Sequence, residues 1–487
     1  MANRPNLVLI TTDSLGWNAL GDCGGGFVET PRLDELAAAG ARFDTAYVTA
    51  PVCGPSRTGL YTGQYPHAVG GWTNGIGIQQ DVATMGDYLQ AAGYRTGYVG
   101  KWHLDGDYFG TGTAAAGYDA EFWYDGQDYR EDVGEEYWQW YRNGMETRVA
   151  ETPIDEIHDR GITRTDTWAG NITERALAFL AEARHDDRPF FLAVNYDEPH
   201  EPSTCPPPFC DRYRGVRYPL PPNYETTAEL DANGKPPRQV AFAEAYADGR
   251  AFMDSLSDAP AGGGIYRPLY FGSVEFVDDE IGRVLDAIQP QDSIVTFTSD
   301  HGHYLGAHGL DLKGFPMYDE VTNVPLIVQG RSVPAGVVSD TLVSLIDVLP
   351  TFLDFAGTAI PDHLHGESFR ATAEDPRVSH RDVALVEHNG YGQGRTDGDG
   401  LYPVRCLRTD DGYKLVLNLL ETDELYDLTD DPGECHNAIA EDQYAAIRNR
   451  LHDALLAEMS RTHDAFHGQA WADRAWRDDA VEPTHPG

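Results

Sequence analysis

The segment Asn6-Leu-Val-Leu-Ile-Thr-Thr12, closed by Asp13, decides how the rest of the chain is read. It is a continuous apolar, β-rich run rather than an alternating one, the pattern of a strand buried on both faces. The chain beyond Asp13 repeats a strand–loop–helix rhythm. Thr30-Pro-Arg-Leu-Asp-Glu-Leu-Ala-Ala-Ala-Gly40 reads as a helix with Thr30 as cap, Pro31 in the first turn and Gly40 at the end. Thr84 to Gly93 repeats that grammar, and strands are expected at Tyr94–Gly100, Arg188–Asn195 and Ser293–Thr298, the last preceded by a helix over Tyr270–Ile288. Alternation of this kind predicts an α/β sandwich around a mainly parallel sheet.

Two regions break the rhythm: about Gly106 to Asp166, rich in Tyr, Trp, Asp and Gly, and Pro202 to Pro237, rich in Pro. Both read as long surface insertions. After about Thr372 the texture changes. Val404–Arg408 and Tyr413–Asn418 predict an antiparallel hairpin turning at Asp-Asp-Gly, followed by Glu424-Leu-Tyr-Asp-Leu and a helix through about Arg461. The expected division is a catalytic domain over 1–372 and a small C-terminal α+β subdomain over 373–487, its last twenty residues a loosely held tail.

The 487 residues carry 78 acidic and 36 basic side chains, a net charge of −42, spread along the chain; only four of the bases are lysines (Lys101, Lys235, Lys313, Lys414). Such a field repels nucleic acid and anionic membranes, so neither is an expected partner, and the acidity itself reads as a solubility adaptation. The N-terminus enters a strand directly, without a leader pattern, and no run is long enough to span a bilayer; the expectation is a cytoplasmic protein. The six cysteines (Cys23, Cys53, Cys205, Cys210, Cys406, Cys435) are too scattered for a disulfide framework. No signal for an oligomeric state is present.

Ligands of open α/β sheets sit beyond the carboxyl ends of the strands. There the sequence places Asp13, Lys101-Trp-His103, Asp197-Glu-Pro-His200 and Ser299-Asp-His301. Each residue alone is an ordinary turn or capping residue. Together they bring carboxylates, three histidines and one of four lysines to a single edge, and Lys313 lies twelve residues beyond His301. Asp13, Asp300 and His301 are hard oxygen donors plus one imidazole, a set suited to Ca²⁺, Mg²⁺ or Mn²⁺. Lys101, Lys313 and Arg57 add the positive charge that a tetrahedral oxyanion requires.

The remaining stretch is Pro51-Val-Cys-Gly-Pro-Ser-Arg-Thr-Gly-Leu-Tyr-Thr-Gly63. Cys53 stands at a helix start, where unpaired N–H groups favour anions and a low-pKa thiolate. Three residues separate it from Arg57, too few for the phosphate-wrapping loop of the cysteine phosphatases. Cys53-Gly-Pro-Ser-Arg57, continued by Thr62-Gly63, resembles the signature of the type I, formylglycine-dependent sulfatases of the alkaline phosphatase superfamily. Asn6–Asp13, the Thr30–Leu36 helix, Gly100-Lys-Trp-His-Leu104, Pro199-His-Glu-Pro202, Ser299-Asp-His-Gly302 and Glu424–Leu428 with Asp431-Pro432 resemble further landmarks in family order, from about Asn6 to Ala440.

The resemblance implies an alkaline-phosphatase-like sandwich, a large mainly parallel mixed sheet flanked by helices, with a small C-terminal antiparallel sheet. It implies that a separate maturation enzyme oxidises Cys53 to Cα-formylglycine, whose hydrate attacks the sulfur of a small sulfated substrate, a sugar or aryl ester. By the same carry-over Asp13, Asp300, His301 and the modified Cys53 hold a divalent metal, Ca²⁺ first, with Mn²⁺ or Mg²⁺ as alternatives. Arg57 and Lys101 steady the diol, His103 takes its second proton, and His200 and Lys313 bind the ester and help protonate the leaving alcohol. Two positions depart from the common pattern: Ser14 replaces a second Asp, and His301 replaces Asn. The loss of one carboxylate favours Mn²⁺ relative to Ca²⁺, and Ser14 is retained as a ligand through its hydroxyl or a water. Similar replacements occur in relatives that cleave phosphonate monoesters, phosphodiesters or choline sulfate, so a phosphonate monoester or phosphodiester hydrolase is the alternative. A non-enzymatic binding relative with an unmodified thiol is the third reading. Trp72, Thr73 and Asn74, with the aromatic run around Trp123, Tyr124 and Tyr129, are candidates for a sugar-stacking wall or for internal packing.

Overall fold

In the computed structural model the residues described are 4–21, 28–147, 154–255, 262–390, 401–464, 466 and 468–477. Cys23 lies outside them. The strands are β1 (Asn6–Asp13), β2 (Ala41–Phe43), β3 (Ala46–Tyr47), β4 (Arg95–Gly100), β5 (Trp123–Tyr124), β6 (Phe190–Pro199), β7 (Ser293–Ser299), β8 (Leu326–Gly330), β9 (Val337–Ser339), β10 (Val343–Ser344), β11 (Val383–Gly390), β12 (Leu401–Thr409), β13 (Tyr413–Asn418) and β14 (Glu424–Asp427).

Eight of them form one sheet in the order β5-β4-β6-β1-β7-β8-β2-β9. Its neighbours are parallel except where β8 meets β7 and β2. β1 lies between β6 and β7, and Leu7, Val8, Leu9 and Ile10 are all fully buried, which is why its sequence shows no alternation. Val8 and Ile10 pack with the helices Pro31–Ala38, Trp168–Ala183 and Pro268–Ala287; Leu7 and Leu9 pack on the other face with Cys53–Thr62, Met85–Ala91 and Val348–Phe355. Each such side chain contributes about 1.5–3 kcal/mol by leaving water. Pro31 does open the first helix, but Thr30 supplies no side-chain cap; its hydroxyl accepts from Gly21 N–H instead.

β11 to β14 form a separate antiparallel sheet in that order, with β12 and β13 joined through Asp410-Asp411-Gly412. One face (Ala384, Val386, Val404, Cys406, Val416) merges with the core of the large sheet. The other (Leu385, Leu407, Leu415, Leu417) is covered by Leu451, Leu455 and Met459 of the helix Ala445–Arg461.

Three expectations are corrected. The aromatic region is not a surface insertion. Trp123 and Tyr124 form the edge strand, the helices Gly126–Val133 and Glu135–Thr147 come next, and Tyr129, Trp138 and Tyr141 are buried. Asp125 and Asp128 form a capping box at the start of the helix Gly126–Val133 and Gly134 ends it, so polar caps interrupt the helical period. The Pro-rich region likewise contains the helices Phe209–Arg212 and Thr227–Ala232 and buries Cys205 and Cys210. The tail is not loose throughout: Gln469–Ala472 is helical and Trp471 is 1% exposed, its indole N–H donating to Phe466 O at 2.6 Å. Among the described residues no helix is long and apolar enough to cross a membrane.

Candidate active site

Parallel neighbours end at the same level, and this places the site. Thr12 of β1 is in register with Ser299 of β7, so Asp13 and Asp300 emerge side by side; Gly100 of β4 is in register with Asn195 of β6, which brings Lys101 and His103 to the same edge. The turn after β4 requires glycine. Gly100 has φ of +108°, and a Cβ there would lie 1.9 Å from Asn195 O, the acceptor of Lys101 N–H at 3.0 Å. The helix Cys53–Thr62 completes the edge with its N-terminus, entirely buried, after extended Val52.

Ligand atoms of Asp13, Cys53, Asp300 and His301, all buried, lie within 4.8 Å of one another. Cys53 Sγ is 3.2 Å from His301 Nε2 and 3.7 Å from Asp13 Oδ1. His301 Nδ1 is 2.9 Å from Gly302 O, which assigns the ring proton to Nδ1 and turns the Nε2 lone pair toward the carboxylates. Burial and the adjacent Asp13 push the Asp300 carboxyl up to about 6. Burial also works to raise Asp13, but Lys101 and Lys313 overcome it and hold that carboxyl well below the usual range. Burial and Asp13 raise the Cys53 thiol; Lys101, Lys313 and His301 more than reverse this. Two packed carboxylates, a directed imidazole and a fourth donor fit a divalent cation, which would relieve the repulsion that raises Asp300.

Cations ring this cluster. Arg57 Nε donates to Asp300 Oδ2 at 2.8 Å and its Nη1 to Lys101 O at 2.8 Å; its buried Nη2 lies 3.9 Å from Asp13 Oδ2 and has no hydrogen-bond partner among the described residues. Lys101 Nζ lies 2.5 Å from Asp13 Oδ2 and 3.1 Å from Asp197 Oδ1. Lys313 Nζ donates to Ser14 Oγ at 3.1 Å and is 3.6 Å from Asp13 Oδ1. Ser14, expected as a ligand, donates its hydroxyl proton to Asp13 Oδ1 at 2.8 Å, and so links Lys313 to that carboxylate. Both ring nitrogens of His103 are buried and have no well-formed hydrogen bond among the described residues; burial lowers its pKa below the ordinary histidine value, against the opposing effect of Cys53. His200 Nδ1 meets Glu201 O at 2.8 Å.

Asn74 Oδ1 accepts from Gly54 N–H at 3.0 Å, so Asn74 stands at the helix start beside Cys53. The Trp72 ring packs edge-on against Phe466, 5.8 Å between centroids. Trp123, Tyr124 and Tyr129 form no wall: Trp123 stacks on Tyr98 at 4.9 Å and Tyr129 on Trp168 at 5.6 Å, inside the cores. Several neighbours escaped the strand-end reading. Tyr108 and Tyr141 both donate to Asp197, Tyr270 O–H donates to Ser14 O at 2.8 Å, and His303 Nε2 lies 3.4 Å from Glu201 Oε1. For His303 and Glu201 the available signal was adjacency to His301 and His200; for the tyrosines, far from any strand end, there was none.

Comparison with known proteins agrees with this geometry. The Sulfatase family profile matches residues 5–358, and that of the N-sulphoglucosamine sulphohydrolase C-terminal region matches 306–461. The chain is 41% identical over 483 residues to the uncharacterized sulfatase YidJ of Escherichia coli K12, covering 98% of this chain and 91% of that one. It is 27% identical to the N-acetylglucosamine-6-O-sulfatase of Bacteroides thetaiotaomicron, covering 93% and 86%. A solved structure bound to its substrate D-glucosamine-2-N,6-O-disulfate superimposes with a TM-score of 0.73 at 25% identity, covering 95% of this chain and 99% of that one. A phosphonate monoester hydrolase from Silicibacter pomeroyi reaches 0.74 at 23% identity, covering 95% and 96%, and shares the fold. A profile that runs from the first strand past the last of the cationic residues, joined to close identity along nearly the whole length, places this chain in the sulfatase family as a sulfuric ester hydrolase.

Proposed function

We propose that this sulfatase hydrolyses a sulfate ester of a small sugar or aryl alcohol, with residue 53 acting as Cα-formylglycine beside a divalent metal. The observation that carries the reading is the four-residue ligand cluster enclosed by Arg57, Lys101 and Lys313. Asp13, Asp300, His301 and residue 53 would hold the metal, Ca²⁺ first by the oxygen-rich donor set, with Mn²⁺ or Mg²⁺ admitted by the missing second Asp. When bound, the metal supplies Lewis-acid charge for the sulfate oxygens, and the hydrated aldehyde supplies the nucleophilic hydroxyl.

The chain's own side chains perform the remaining work. Arg57 Nη2, buried and 3.9 Å from Asp13 Oδ2 without a hydrogen bond, is available to an anionic oxygen. Lys101 and Lys313 neutralise charge at the same centre, and in a low-dielectric site such donors are worth more than in water. A ring nitrogen of His103 takes the proton from the second hydroxyl of residue 53. His200, its Nδ1 satisfied by Glu201 O, presents Nε2 toward the leaving oxygen with Lys313. Asn74, at the helix start beside Cys53, and Trp72 are assigned to the alcohol portion. The sugar-sulfate complex of the structural relative supports a small sulfated sugar, and modification of Cys53 makes a formylglycine-generating enzyme a transient partner.

The test combines mass and rate. Intact mass of the residue-53 peptide should fall by about 18 Da, sulfur being exchanged for oxygen with loss of two hydrogens. 4-Nitrophenyl sulfate and a panel of sugar sulfates should be turned over, and the Cys53→Ala variant should not act on them. Faster turnover of a phosphonate monoester than of any sulfate would overturn the assignment in favour of a phosphonate hydrolase.

A further inference from the structure

The segment between Asp107 and Thr147 carries two tyrosines whose hydroxyls converge on a single buried carboxylate next to the catalytic lysine. Asp197, on β6, is fully buried. Its Oδ1 accepts from the Tyr108 hydroxyl and lies 3.1 Å from Lys101 Nζ; its Oδ2 accepts from Tyr141 O–H at 2.9 Å. The ring of Tyr108 lies beneath the ammonium, 3.5 Å from Nζ to centroid, and its centroid is 5.2 Å from that of His103 and 5.4 Å from that of His200. One half-buried ring therefore touches three of the residues assigned to chemistry.

An unrestrained lysine moves about four side-chain torsions, a freedom worth about 2 kcal/mol. Here two of the three N–H vectors of Lys101 are directed, one to Asp13 Oδ2 at 2.5 Å and one to Asp197 Oδ1, and the ring closes a third side. With Asp197 alone the carboxylate could rotate and take the ammonium with it; the two phenols, each on a different oxygen, prevent this. The hydrogen bond of each phenol goes to Asp197, one to each oxygen.

We propose that Tyr108, Asp197 and Tyr141 are positioning residues that clamp Lys101, with the Tyr108 ring as the common spacer between Lys101, His103 and His200. This rests on the assignment of Lys101 to sulfate-ester hydrolysis. The aromatic segment is then a scaffold for the catalytic lysine, not a surface for substrate.

The test uses the full-length enzyme with rates divided by the formylglycine content of residue 53, so that impaired maturation does not imitate a slow enzyme. Tyr108→Phe keeps the ring and removes the bond to Asp197; Asp197→Asn keeps the shape and removes the charge. Each should lower kcat by about 10- to 100-fold, as loss of an outer-sphere partner does elsewhere, with KM on 4-nitrophenyl sulfate within about two-fold of wild type. The double variant should be no slower than Asp197→Asn alone, because both act through one carboxylate. Tyr124→Phe, whose hydroxyl bonds Asp132 at 3.1 Å away from the site, should keep wild-type rates. Unchanged kcat in Tyr108→Phe, or losses that multiply in the double variant, would overturn the clamp while leaving the sulfatase reading intact. A wild-type enzyme inactive on every sulfate would remove that reading instead. Should Asp197→Asn fail to fold, the kcat of Tyr108→Phe decides alone, since it is isosteric apart from one oxygen.

Discussion

Gly100→Ala tests how far the placement of Lys101 depends on a backbone that only glycine adopts. The added methyl meets two costs. At φ of +108° an L-residue carries about 1–2 kcal/mol of strain. The Cβ would also stand 1.9 Å from Asn195 O and 2.7 Å from Asn195 C, both backbone atoms of a central strand, so β4 and β6 must separate by about an ångström. Overpacking of this kind costs about 1–3 kcal/mol, and loss of the Lys101 N–H to Asn195 O bond about 1 kcal/mol more. The sum is about 3–6 kcal/mol. At about 2.1 cal/mol/K per residue, a chain of 487 residues has an unfolding entropy near 1 kcal/mol/K, so Tm should fall by about 3–6 °C. The shift also moves Asn195, whose side-chain oxygen accepts from Tyr61 O–H at 2.7 Å and from Arg57 at 3.3 Å, and displaces the Lys101 carbonyl that anchors Arg57. An ångström of misplacement costs about 100-fold in rate. The control is Gly93→Ala, at φ of +89° with nothing within 4 Å of the new Cβ. It should lose only the strain, about 1–2 °C, and no activity. Calorimetry gives both Tm values, and 4-nitrophenyl sulfate turnover at equal formylglycine content gives the rates. Equal destabilisation of the two variants, or full activity in Gly100→Ala, would refute the reasoning.

Three further outcomes are expected. Saturation with Ca²⁺ at about 100 times its Kd should stabilise the metal-stripped protein by about 2.7 kcal/mol, and Asp300→Asn should abolish that thermal shift, read by calorimetry without any turnover. Trp471→Ala, deleting a ring that is 1% exposed, should cost about 3–5 kcal/mol; an unchanged Tm would restore the view of a loose tail. Burial works to raise the Asp347 carboxyl, but the Arg381 guanidinium and His380 hold it down at about 2. A folded-state value below the unfolded one adds stability above pH 4 that is lost as pH falls toward 2, about 2 kcal/mol in all. Asp347→Asn should therefore flatten the acid limb of a urea-midpoint profile, and an unaltered limb would refute that assignment.

The candidate site was legible where chemistry comes directly after a strand. Asp13, Lys101, His103, His200, Asp300 and His301 each stand within a few residues of a strand end, and a parallel sheet brings such positions together without further information. Lys313 was legible only because lysine is so rare in this chain. The roles of Ser14 and Asp197 were not legible: a hydroxyl next to a carboxylate serves equally as a ligand or as a donor, and the choice depends on Lys313, which comes from 299 positions away. The aromatic segment was misread because residues such as Tyr129 and Trp138 are buried by partners on other elements, Trp168 and Phe109 among them.

By itself the sequence determined the buried strands, the helix that starts at Cys53, the C-terminal hairpin and the edge on which the reactive groups gather, because local periodicity, capping and strand direction are properties of neighbouring residues. The tertiary structure alone decided which proton donor meets which carboxylate, that Lys101 is shared between Asp13 and Asp197, and that two tyrosines donate to Asp197. Those contacts join residues tens to hundreds of positions apart, and their distances are set by packing, which no stretch of chain encodes on its own.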